Sequence, residues 1–217
     1  MRGYRDRGAP APLKENLAAA LIKMTGWDEK SPLIDPMCGS GTFCIEAALM
    51  ALKRPPGIFR KRFGFQKWKT FQKDAFAEVS QQIFDRELSD VPFRIYGYDI
   101  DPRAVAASKA HSENAETEIA TLFRKQDVLD LQPAPTPGVV IVNPPYGERM
   151  GDVERLVPLY EDLGRVMRDR FKGWRLFVLT SEPSLARSLT QMIGVKPHQT
   201  HRVYNGAIEC SFIGYNL

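Results

Sequence analysis

Apolar positions along this chain recur with two alternating periods. Residues 13–26, "LKENLAAALIKMTG", space Leu13, Leu17, Leu21 and Met24 as one helical face, and Gly26 closes the helix. Residues 31–41, "SPLIDPMCGSG", are a short apolar strand that runs into a glycine-rich turn. Residues 42–54 read as a helix ended by Pro55, Pro56 and Gly57. Further on, residues 74–88 give a helix, 93–100 a strand, 101–115 a helix, and 119–131 contain a third strand. The β-branched run at 139–145 is a fourth strand, 153–171 a long helix, 174–181 a fifth strand and 184–194 a helix. Two last strands, 198–206 and 207–217, pair as a hairpin. Strands that alternate with helices predict an α/β fold, Rossmann-like, with a doubly wound, mainly parallel sheet. The closing hairpin brings in an antiparallel strand. The reading is of a single domain over 1–217 with an insertion at about 53–93.

Composition narrows the class. Of 217 residues, 43% are hydrophobic and 10% aromatic, enough to build a core. No stretch approaches 18 apolar residues, which excludes a transmembrane helix, and "MRGYRDRGAPAPLKE" lacks the apolar region of a signal peptide. Cys38, Cys44 and Cys210 form no CxxC pair and no metal spacing. They read as reduced thiols of a cytoplasmic protein without a metal.

The net charge of +4 is a weak hint of a polyanionic partner, but its distribution says more. Between Glu46 and Asp74 there is no acid, whereas Lys53, Arg54, Arg60, Lys61, Arg62, Lys67, Lys69 and Lys73 fall there among Phe59, Phe63, Phe65, Trp68 and Phe71. Two readings stand side by side: a solvated loop whose aromatics fold back onto the core, or a nucleic-acid surface with cations for phosphates and rings for stacking.

Four stretches carry candidate chemistry. In "LIDPMCGSGTF", Gly39 and Gly41 allow a sharp strand-to-helix turn and close approach of a ligand to the main chain. Both GxGxxG and the P-loop lysine are missing, so a phosphate-free cofactor fits better than a dinucleotide or ATP. Asp35 at the strand end suits a cationic or amine-bearing ligand. In "YGYDID", Asp99 can accept ribose hydroxyls, and Asp101 with Pro102 reads as a helix cap. In "KQDVLDL", Asp127 can accept from an adenine amino group. In "NPPY", Asn143 offers a carboxamide where ligands of parallel sheets bind, and Pro144 and Pro145 stiffen the backbone. The Asn143 side-chain oxygen and the Pro144 carbonyl are two acceptors for one amino group, and Tyr146 can stack on the ring that bears it. No catalytic histidine is expected, because His111, His198 and His201 fall in helical or late-strand segments away from these stretches.

Asp35 to Thr42, Asp99, Asp127 and Asn143-Pro144-Pro145-Tyr146, in this order, resemble the motifs of S-adenosylmethionine-dependent amino methyltransferases. The NPPY tetrapeptide alone is shared by DNA adenine-N6, RNA guanine-N2 and protein glutamine-N5 enzymes. "RGYRDRGAPAPLKENLAAALI", "PMCGSGTFCIEAALMA", "PPGIFRKRFGFQKW", "NPPYGERMG" and "HRVYNGAIEC" together are similar to the large-subunit ribosomal RNA guanine-N2 methyltransferase family. The resemblance implies a class I methyltransferase fold with seven strands. It implies S-adenosylmethionine held by Lys14, Asp35, Met37, Cys38, Gly39, Gly41, Thr42, Asp99, Ile100, Asp127, Val128 and Asn143, with residues 12–14 closing one side. The implied catalytic residues are Asn143, Pro144 and Tyr146. Arg60, Lys61, Arg62, Lys67 and Trp68 are expected to bind RNA, namely 23S ribosomal RNA before the subunit is fully assembled. Members carry a THUMP domain before the "RGYR" segment, so the resemblance implies a catalytic domain excised from a longer protein. A tRNA guanine-N2 enzyme, a DNA adenine-N6 enzyme and a non-catalytic RNA-binding module are the rival readings.

Overall fold

A computed structural model describes residues 2–5, 13–60, 62–147 and 152–217. The sheet is built from β1 (Leu33–Asp35), β2 (Ile95–Asp99), β3 (Thr121–Lys125), β4 (Val139–Val142), β5 (Arg175–Thr180), β6 (Gln199–Asn205) and β7 (Ile208–Asn216). Its order is β3-β2-β1-β4-β5-β7-β6. Strands β1 to β5 are mutually parallel, and β7 runs antiparallel between β5 and β6. The doubly wound sheet with its closing hairpin is therefore as the alternation predicts.

The helices are α1 (Glu15–Met24), α2 (Thr42–Ala51), α3 (Lys73–Phe84), α4 (Pro102–Asn114), α5 (Asp152–Arg170) and α6 (Pro183–Ile193). Strand side chains alternate between two cores, as a pleated strand requires. Leu33, Val139, Ile141, Phe177 and Leu179 face α1 and α2, whereas Ile34, Val140, Val142, Leu176 and Val178 face α5 and α6. All four residues of β4 are buried, which is why "VVIV" reads as a continuous apolar run rather than an alternating one. α2 is buried on nearly every side, so its sequence carries no polar stripe.

The insertion behaves differently. No residue of α3 is buried. Its Phe76 joins a local cluster in which Phe63, Phe65, Phe71 and Phe76 pack ring to ring. Among the described residues no helix is long and apolar enough to cross a membrane.

Candidate active site

The carboxyl ends of β1, β2 and β4 meet at the middle of the sheet, where a parallel fold opens a crevice. Asp35 ends β1 and is only 2% exposed. Its Oδ1 accepts the Met37 N–H at 3.1 Å. Burial, with a smaller push from the nearby Asp99, raises its carboxyl to about 8, so it is largely protonated at neutral pH. Three bonds fix the turn that follows. The Cys38 N–H donates to the Tyr98 carbonyl at 2.8 Å, the Gly39 N–H to Asp99 Oδ2 at 2.9 Å, and the Gly41 N–H to the Cys38 carbonyl at 2.8 Å. Asp99 Oδ1 also accepts the Asp101 N–H at 2.9 Å. Each Asp99 oxygen thus takes one main-chain donor and retains one lone pair for a ligand.

The two glycines differ in purpose. Gly39 has φ +52° and open space where a side chain would stand, so a ligand can approach its backbone. Gly41 has φ +83°, and a Cβ there would lie 2.9 Å from Ser108 and 3.1 Å from Phe123. Gly41 is needed for the packing of α2 against α4 and β3, not for ligand access. His111 corrects the expectation that the histidines lie away from the site. It is buried on α4, and its Nδ1–H donates to the Ser40 carbonyl at 3.1 Å, which supports the turn from behind. No signal along the sequence couples positions 71 residues apart.

A cavity of about 190 Å³ lies over this turn, lined by Asp35, Met37, Cys38, Gly39, Ser40, Thr42, Phe43, Leu13 and Asn143. The structure therefore brings together Asp35, the glycine turn and Asn143. Leu13 forms the wall expected from residues 12–14, whereas Lys14 is exposed and Pro12 lies outside the described residues. Asp99, Ile100, Asp127 and Val128 are not in the cavity wall but lie at the ends of β2 and β3 on the same edge of the sheet. Ile100 is 64% exposed, an apolar side chain left open beside the site. Asp127 caps the single turn Val128–Asp130 by accepting the Leu129 N–H at 2.9 Å. The predicted cap at Asp101 is present, with its carboxylate accepting the Arg103 N–H at 2.8 Å.

Asn143 follows β4 directly, and its side-chain oxygen is buried without a hydrogen-bond partner among the described residues. Leaving a buried acceptor unmatched costs about 1–3 kcal/mol. Pro144 is buried and Pro145 exposed, and Tyr146 packs partly buried against the α5–α6 side of the core. Residues 148–151, the end of "NPPYGERMG", lie outside the described residues.

In the basic stretch, Arg60, Arg62 and Lys67 are exposed, Trp68 is 68% exposed, and Lys61 lies outside the described residues. The stretch matches neither initial reading in full. Phe59 does fold onto the main core, but four phenylalanines build their own cluster and the indole stays in solvent. Arg60 reaches a cleft of about 410 Å³ shared with Arg2, Glu15, Asn16 and Phe63. A second cleft of about 390 Å³ between α1 and α2 holds Arg2–Glu46 and Lys53–Glu29 ion pairs, whose charges satisfy each other.

This geometry can be set beside known proteins. A protein named ribosomal RNA large subunit methyltransferase K/L from Allochromatium vinosum is 42% identical over 100% of this chain, and one of the same name from Methylococcus capsulatus is 40% identical. The chain spans about 30% of the length of these relatives. Among solved structures, a protein named as a putative methyltransferase, complexed with SAH, matches 100% of this chain and 55% of its own, at TM-score 0.89 and 32% identity. A protein from Listeria monocytogenes named as a predicted N6-adenine-specific DNA methylase covers 99% of this chain and 54% of its own, at TM-score 0.86 and 35% identity. A family model for the RMKL-like methyltransferase domain matches residues 2–212, and the chain belongs to that family.

Proposed function

We propose that this domain uses S-adenosylmethionine to methylate the exocyclic N2 of a guanine in 23S ribosomal RNA. The observation that carries the reading is the partnerless Asn143 oxygen in the wall of a cavity whose other side is Asp35 and the glycine turn. Such an acceptor suits an amino group with hydrogens to donate. When bound, the cofactor supplies an electrophilic methyl group on a sulfonium. The chain's own residues would do the rest. Gly39 to Gly41 and Asp35 hold the amino-acid end, Asp99 the ribose hydroxyls, and Asp127 the adenine amine, with Ile100 and Val128 flanking the ring. Asn143 Oδ1 and the Pro144 carbonyl accept the two hydrogens of the target amine, which points its lone pair at the methyl carbon. Tyr146 covers the base, which has to leave its stack to reach the site. The proton lost by the methylated amine passes to water, and no strong base is needed.

The names of the K/L relatives support ribosomal RNA as substrate, and Arg60, Arg62, Lys67 and Trp68 suit its phosphates and unpaired bases. Similarity to the Listeria protein favours a second reading, an adenine-N6 methyltransferase acting on DNA. Radiolabelled cofactor incubated with unmodified ribosomal RNA, tRNA and DNA separates the two. Label in a guanine of 23S RNA is expected, and label confined to adenine in DNA overturns the proposal in favour of the second reading.

A further inference from the structure

The segment Arg2–Arg5 lies on the outer face of α2 and is anchored at both of its first two side chains. Arg2 pairs with Glu46 at 2.6 Å. Tyr4, 1% exposed, donates its hydroxyl to Glu46 Oε1 at 3.1 Å and accepts Asn114 Nδ2 on its carbonyl at 3.1 Å. Its ring also meets Phe59 edge-on. These anchors deliver Arg5 to the first turn of α2. There Arg5 Nη2 donates to the Leu13 carbonyl at 3.0 Å and to the Thr42 hydroxyl. Leu13 and Thr42 both belong to the wall of the cavity over the glycine turn.

Arg5 is held from several sides, with its guanidinium over the Tyr4 ring at 5.8 Å. The Arg5 side chain is 11% exposed, and its Nε, without a hydrogen-bond partner among the described residues, forms an ion pair with Glu15 at 3.9 Å. The arrangement places a cation at the positive end of the α2 dipole, which is the unfavourable end. Glu15 balances that charge, and the bonds to Leu13 and Thr42 are what connect Arg5 to the cavity.

We infer that Arg5 is a cofactor-positioning residue: it clasps the Leu13 wall to the first turn of α2 and so shapes the part of the cavity that takes the cofactor's amino-acid end. This rests on the reading of the cavity as an S-adenosylmethionine site. The test compares S-adenosylhomocysteine, which has that amino-acid end, with 5′-methylthioadenosine, which lacks it. Calorimetry on Arg5→Ala should show about tenfold weaker binding of S-adenosylhomocysteine. Binding of 5′-methylthioadenosine should stay within about threefold, and the ligand-free melting temperature within a few degrees. Thr42→Val, which removes only the shared hydroxyl acceptor, should show the same selective loss in weaker form. Equal losses for both ligands, or no loss for either, overturn the inference, because a clasp at the amino-acid end acts only on the ligand that has one. Should Arg5→Ala not fold, Thr42→Val decides by the same comparison. Failure of the wild-type domain to bind either ligand would instead overturn the cofactor reading itself.

Discussion

Asn143 holds a buried oxygen that no described residue satisfies, whereas Asp35 holds a buried carboxyl that does not ionise readily. Both are unfavourable for stability and both face one cavity, the pattern expected where groups are kept for a ligand. Asn143→Ala should lower methyl transfer at least about tenfold while cofactor affinity stays within a few fold. Collapse of affinity with normal turnover of bound cofactor, measured by calorimetry and single-turnover assays, would show that Asn143 serves the cofactor instead. Asp35 gives a prediction with a definite sign. Its carboxyl is raised to about 8 in the free protein, and a cationic ligand beside it favours the charged form. Binding should therefore release a proton near neutral pH, and affinity for S-adenosylmethionine should rise as pH climbs toward 8. Calorimetry in buffers of different ionisation enthalpy measures that proton, and the Asp35→Asn variant should lose it.

At the scale of elements, the turn between β1 and α2 is held by β2 on one side and by α4 through His111 on the other. A strand end, a helix start and two neighbouring elements thus fix one backbone path, while the insertion carrying α3 hangs on a small cluster of its own. Cations mounted on such a separate unit can be altered without disturbing the main core. Neutralising Arg60, Arg62 and Lys67 together should weaken RNA binding and reduce the salt dependence of its affinity by about two to three phosphate contacts. Melting temperature should change little. An unchanged slope of affinity against salt would assign the stretch a structural role. Replacing Trp68 by Ala should weaken single-stranded RNA more than duplex RNA, since stacking needs a free base face.

For the molecule as a whole, the parts legible in the sequence are those that local periodicity encodes. "VVIV" and "YGYDI" fall on parallel strands, "HRVYNGAIEC" spans the hairpin, and Asp101 caps the helix it precedes. Contacts between distant positions leave no periodic trace. His111 under Ser40, Arg5 on Thr42 and the phenylalanines turned onto each other became visible only in three dimensions. Glu46 belongs with these, since a single acid on an apolar helix reads as a surface residue, yet it anchors Arg2 and Tyr4 while buried. Burial pushes its carboxyl up to about 7 even though Arg2 pulls the other way. Glu46 and Asp35 therefore both bind protons more tightly in the folded state than in the unfolded chain. The stability they contribute is complete below the carboxylate range of the unfolded chain and is lost as pH rises through about 7 for Glu46 and about 8 for Asp35. The melting temperature of the ligand-free domain should consequently be lower at about pH 8 than at about pH 6, by a few degrees if on the order of 1 kcal/mol is lost. Glu46→Gln keeps an acceptor for the Tyr4 hydroxyl and cannot ionise, so it should shrink that drop without abolishing it, because Asp35 remains. A drop of undiminished size in Glu46→Gln, measured by thermal denaturation at both pH values, would show that the carboxyl on α2 is not what titrates.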